Sequence, residues 1–163
     1  MTDVNVDAAT LQQLAGKLLE LLKIRTLPIA MKQYTSREEM EKVKGLRWPM
    51  EGRRHTTCQL VTQSRMAGFT LGIGADNVRP GSTCAGVRGS DQPVEAGLSG
   101  EHRDGGWLEN REAAHQHQLQ MTRVPAGKFM GTVVSPLRSG RIDNPDIVLF
   151  YGTPGQIILF VNM

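Results

Sequence analysis

Apolar residues recur at spacings of three and four from Leu11 to Leu22 (Leu11, Leu14, Ala15, Leu18, Leu21, Leu22), which predicts an amphipathic helix of about four turns. Asp7 stands where its N-cap belongs. The pattern then shortens. Leu27-Pro28-Ile29-Ala30-Met31 predicts a strand whose proline sits near the start, where a missing N–H is tolerated. Ser36 and Glu39 have capping-box spacing and open a short helix through Val43, stopped at Gly45, with its many charges forming a solvated face. Leu46 to Arg54, with Trp48-Pro49 and Gly52, reads as a loop. Thr56 or Thr57 then caps a helix through Ala67, ended by Gly68. Phe69 to Ile73 alternates as a strand does, and its glycines let the backbone come close to something else.

The second half is less periodic. Arg79 to Gly89 is turn-rich, and Ser90 to Gly106 is a long polar loop that suits a mobile cover or a surface insertion. Trp107 to Thr122 is rich in helix formers and predicts a helix. Gly127 to Val134 predicts a strand and Ser135-Pro136-Leu137 a bend. The unbroken apolar run Ile147 to Tyr151 predicts a buried strand. Thr153-Pro154-Gly155 turns the chain into Gln156 to Val161, either a strand or the first turns of a helix. These elements together predict one α+β domain over residues 1–163, a mixed or antiparallel sheet of four to six strands flanked by three or four helices.

Composition narrows the function classes. A formal charge of +3 is far from the dense basic stripe of a nucleic-acid binder, so nucleic acid is not expected as a partner. Arg53-Arg54, the tightest basic pair, reads first as solvated and second as a contact for an anionic ligand. With no apolar run long enough to span a bilayer and no signal-peptide pattern at the start, the expectation is a cytoplasmic protein without a membrane partner. The apolar end, Ile157 to Val161, suggests a chain cut short, or completed by a second copy or a partner chain.

Candidate chemistry centres on the two cysteines, Cys58 and Cys84. With Thr57 as the cap, Cys58 falls in the first turn of a helix, where unpaired N–H groups and the positive end of the dipole favour a thiolate. Cys84 lies among small residues in a glycine-rich stretch. The two are too far apart in sequence, and lack the Cys-x-x-Cys pairing, for a zinc-finger pattern. A metal site would need help from His55, His115 or His117, and the last two point apart on a helix. Glu112 and His115 have the Glu-x-x-His spacing of di-iron bundles, but no second motif accompanies them. Gly72-Ile73-Gly74 lacks the third glycine of a dinucleotide fingerprint. A Cys58 nucleophile with His55 or His115 as base is chemically sound; two inert, packed thiols are the plainer alternative.

An ordered series of motifs carries a resemblance. Pro28-Ile29-Ala30-Met31-Lys32, Cys58 with Ala67-Gly68, Cys84-Ala85-Gly86, Ser135-Pro136-Leu137 and Pro145 to Gln156 together resemble the domain-of-unknown-function 169 family, also labelled ArCR. The resemblance implies that both cysteines are family features and that the stretch from Tyr151 to Gln156 is a site-like loop. It implies no settled activity. It also implies, for family members, a longer C-terminal segment with a further cysteine, so that a three-thiol site for a metal or iron–sulfur cluster would have to be completed here by another chain. The functional expectation is a small-molecule enzyme or redox protein with Cys58 as reactive thiol and Cys84 as its partner. Tyr151, Thr153 and Gln156 are expected to orient a polar ligand. The alternative is a non-catalytic assembly subunit holding a metal or cluster.

Overall fold

The computed structural model describes residues 7–79 and 127–162 and, between them, Glu109, Asn110, Glu112, Ala113, Gln116 and Gln120. Cys84, His115 and His117 lie outside the described residues, as do 80–108, where the long loop was expected. Helix α1 (Ala8–Leu22) begins where Asp7 accepts the Thr10 N–H at 2.7 Å. That bond and the Thr10 side chain hold the Asp7 carboxyl below the usual carboxylate range. Strand β1 (Ile29–Tyr34) is followed by α2 (Arg37–Glu41), β2 (Leu46–Arg47), α3 (Thr57–Ala67) and β3 (Thr70–Gly74). Strand β4 (Gly131–Pro136) runs into a 3-10 turn (Leu137–Ser139), and β5 (Ile147–Leu149) and α4 (Pro154–Val161) complete the described elements.

The strands form one mixed sheet in the order β2-β3-β4-β1-β5. Only β2 and β3 run parallel; the remaining pairs are antiparallel. The α+β expectation, a mixed sheet with helices against it, is the architecture found. Alternation along the strands sends side chains to two cores, one on each face. On one face Ile29, Met31, Leu71, Ile73 and Val134 meet Leu60 and Val61 of α3. On the other, Ala30 and Val133 meet Leu11 and Ala15 of α1, Met40 of α2 and Leu137. Each large side chain fully buried here contributes about 1.5–3 kcal/mol.

Several local expectations need correction. β5 is an edge strand with Ile147 and Val148 exposed, because only β1 pairs with it; an unbroken apolar run does not guarantee burial on both faces. Ser135-Pro136 belongs to β4 rather than to a bend, and Pro136 is tolerated as the last strand residue, opposite Ile29. Ser36 does cap α2, but its side chain makes no capping hydrogen bond, so the capping box with Glu39 does not form. Leu46-Arg47 is a strand, not loop. Residues 156–161 are helical, because Thr153 caps α4 and Pro154 occupies its first position. Within Trp107–Thr122, the described positions Glu112, Ala113, Gln116 and Gln120 are helical, and Asn110 Oδ1 accepts the Ala113 N–H at 2.9 Å.

Among the described residues no helix is long and apolar enough to cross a membrane.

Candidate functional site

Because β2 has only two residues, the chain leaves the sheet edge early and turns through Trp48-Pro49. The Trp48 ring lies on β3 at Gly72, where an added Cβ would come within 3.2 Å of the indole and 3.0 Å of Leu46. The close approach expected of these glycines is therefore an internal one, to Trp48. Between this turn and the start of α3 lies a cleft of about 450 Å³. Its apolar walls are Trp48, Met50, Leu60, Phe69 and Leu71. The polar groups reaching it are Arg47, Arg53, His55 and Gln63, and no carboxylate lines it among the described residues. The Arg47 guanidinium sits 4.8 Å from the Phe69 ring centroid.

His55 is held by its backbone. Its N–H donates to Asn77 O and its carbonyl accepts from Arg79 N–H, both at 2.9 Å, in a short parallel bridge to Val78. It immediately precedes the cap of α3, and Leu60 is the fourth residue inside the helix. These are the two positions of a hydrophobic staple, and both residues line the cleft. The imidazole Nδ1 is buried and has no hydrogen-bond partner among the described residues.

Thr56 is the N-cap of α3. Its Oγ1 accepts the Gln59 N–H at 3.3 Å, and Gln59 Oε1 accepts the Thr56 N–H at 2.9 Å, completing a capping box. Cys58 is the second helical residue, in the first turn as expected, and is exposed. Successive helical residues are rotated by about 100°, so Cys58 and Gln63 stand about 140° apart. Cys58 instead shares a flank with Thr62, whose hydroxyl donates to Cys58 O at 2.9 Å, and with Arg65. The Arg65 guanidinium stacks 3.9 Å above the Tyr151 ring. Cys58 is thus on the Tyr151 side of α3 and does not line the cleft that contains His55, so the structure does not bring them together as nucleophile and base.

Thr153 and Gln156 are engaged within the fold. Thr153 Oγ1 accepts the Gln156 N–H at 3.4 Å, and Gln156 Oε1 accepts the Thr153 N–H at 2.7 Å. Gln156 Nε2 then donates to Leu22 O at 2.7 Å and Lys23 O at 3.1 Å, satisfying the last carbonyls of α1 and tying α4 to it. Glu112 accepts a hydrogen bond from Gln116 Nε2 at 2.9 Å. Among the described residues, no group of three or more His, Cys, Asp or Glu side chains is placed to hold a metal ion.

The residues that sequence reasoning passed over are Arg47, Trp48, Phe69 and Gln63, and His55 in its present role. The one local signal for them was a Trp-Pro turn shortly before a capped helix that follows a glycine-bearing loop.

The fold and cleft define an open-sheet α+β protein with a small-molecule-sized recess at the β2 edge. The chain belongs to the domain-of-unknown-function 169 family, described as uncharacterised ArCR, whose model matches residues 17–163. No curated protein and no solved structure matches it significantly.

Proposed function

We propose that this is a cytoplasmic small-molecule-binding protein whose ligand occupies the cleft between the β2–β3 edge and the start of α3. The observation that carries the proposal is the composition of the cleft: apolar walls with Arg47, Arg53, Gln63 and the backbone-pinned His55 reaching one recess, and no carboxylate lining it among the described residues. The volume of about 450 Å³ suits a small organic molecule, and a mostly apolar wall with a few polar groups is the usual composition of such sites. Thermal unfolding in the presence of a fragment collection tests this. A ligand at about 100 times its Kd should raise Tm by roughly 5–10 °C, and by much less in His55→Phe, which keeps the ring shape and removes both nitrogens. A collection that leaves Tm unmoved, or moves parent and variant equally, rejects the cleft as a binding site.

A second reading is favoured by the position of Cys58. The thiol is free and exposed at a helix start whose first-turn N–H groups can hydrogen-bond an anion formed there. It would act as a nucleophile towards an electrophile bound on the Arg65–Tyr151 flank. Iodoacetamide labelling near neutral pH, followed by mass spectrometry, measures it. Cys58 should react faster than an unstructured cysteine peptide, and a rate no higher than the peptide's removes this reading while leaving the cleft proposal intact.

A further inference from the structure

We infer that the ligand of the cleft is an organic monoanion, a carboxylate carried on an apolar body; this rests on the cleft reading above and adds its chemical class. Three groups that carry or can take positive charge, Arg47, Arg53 and His55, reach one recess. The structure neutralises a neighbouring arginine but not these. Arg37, stacked 4.2 Å over Trp48, is paired with Glu41 at 3.1 Å and with Asp76 at 3.2 Å. Arg47 and Arg53 have no carboxylate partner among the described residues, and no acidic side chain there lines the cleft. Guanidinium groups facing a shared space without a counter-charge select an anion, and their planar fork matches a carboxylate.

The walls argue for the rest of the molecule. Leu60, Phe69 and Leu71 offer hydrocarbon and ring surface that a purely polar anion would leave uncovered. A dianion such as a phosphate ester would lose more solvation against those walls than a monoanion does. His55 and Gln63 line the same recess and add polar groups to its wall.

A matched series separates the class of ligand from the existence of the site. Isothermal titration calorimetry of the intact protein reads binding directly. The probes are 3-phenylpropanoate, 3-phenylpropan-1-ol and 3-phenylpropylammonium, which share one skeleton and differ in charge. The acid should bind with a Kd at least about tenfold below that of the alcohol, with the amine weakest. Arg47→Gln with Arg53→Gln should bring acid and alcohol within about threefold of each other. Added salt should weaken the acid and leave the alcohol unchanged. Should the double variant misfold, the salt series on the parent decides alone.

An acid that binds no better than the alcohol, or a preference that survives loss of both arginines, overturns the monoanion assignment and leaves the cleft proposal standing. If none of the three binds, both fall.

Discussion

Two groups of buried polar side chains lie on opposite faces of the sheet, and their hydrogen-bond accounts differ. On the α1–α2 face a circuit closes on itself. Arg141 Nη1 donates to Thr70 Oγ1 at 2.9 Å, Thr70 Oγ1 and Ser135 Oγ are 2.8 Å apart, and Ser135 Oγ and Ser139 Oγ are 2.9 Å apart. The Arg141 N–H donates back to Ser139 Oγ at 3.3 Å. On the α3 face the account stays open. His55 Nδ1, Thr57 Oγ1, Ser64 Oγ and Arg65 Nε are all buried without partners, and among the described residues they make up the full set of such side-chain atoms. A satisfied buried network rigidifies, whereas an unsatisfied one costs stability unless something else completes it. The closed circuit therefore stiffens the α1–α2 side, and the open set lowers stability along α3 and at its entry.

The largest expected effect breaks the closed side. Thr70→Val removes the hydroxyl that joins Arg141 to Ser135 and leaves both short of a partner, at a site only 1% exposed. The expected loss is about 2–3 kcal/mol, or roughly 5–10 °C in Tm. A variant as stable as the parent would show that the circuit is incidental. Next comes the helix that carries the open set. Thr56→Ala deletes one arm of the α3 capping box and should cost about 1 kcal/mol in denaturant unfolding. A ligand that binds beside His55 should lose affinity in the same variant, since the cap fixes where that residue enters the helix. Unchanged affinity would mean that the Asn77 and Arg79 backbone bonds hold His55 by themselves.

Local signals were legible and long-range ones were not. Asp7, Thr56 and Gly68 announce helix boundaries because a cap acts within three or four residues. Cys58 could be placed in a first turn for the same reason. Which flank it occupies is not legible, because adjacent Thr56 and Thr57 are equally good caps and its surroundings come from Tyr151, far along the chain. β2 escaped notice because two residues cannot display a period. The Thr153 to Gln156 stretch looked like a ligand loop, yet its polar atoms cap α4 and close the end of α1, a role that depends on Leu22 and Lys23 lying nearby. The cleft is assembled from three separate stretches, 47–55, 60–63 and 69–71, so no single motif could announce it.

A smaller change of opposite sign sharpens the comparison. Ser64 is fully buried and its hydroxyl is unpaired among the described residues, so Ser64→Ala removes a polar group that contributes nothing. The variant should gain about 0.5–1 kcal/mol, read as a higher denaturation midpoint at unchanged slope. A loss of that size would place Ser64 in a hydrogen bond and shorten the open set by one.

The smallest effect concerns pH on the closed side, where Tyr34 and Arg141 line a second, polar recess. Burial, followed by the negative charges of Asp143, Asp146 and Glu39, pushes the Tyr34 phenol from its ordinary 10.0 up to about 12. In the unfolded chain the proton leaves near the ordinary value. Between about pH 10 and 12 the unfolded state has therefore released a proton that the folded state retains, and stability falls as pH rises through that window. Below it Tyr34 contributes no slope. The difference in unfolding free energy between parent and Tyr34→Phe should accordingly be flat at neutral pH and shrink or reverse in favour of the variant across the alkaline window. A difference that stays constant from neutral pH upward would mean that the phenol ionises in the folded protein as readily as in the unfolded chain. The three carboxylates would then be too well solvated to hold its proton in place.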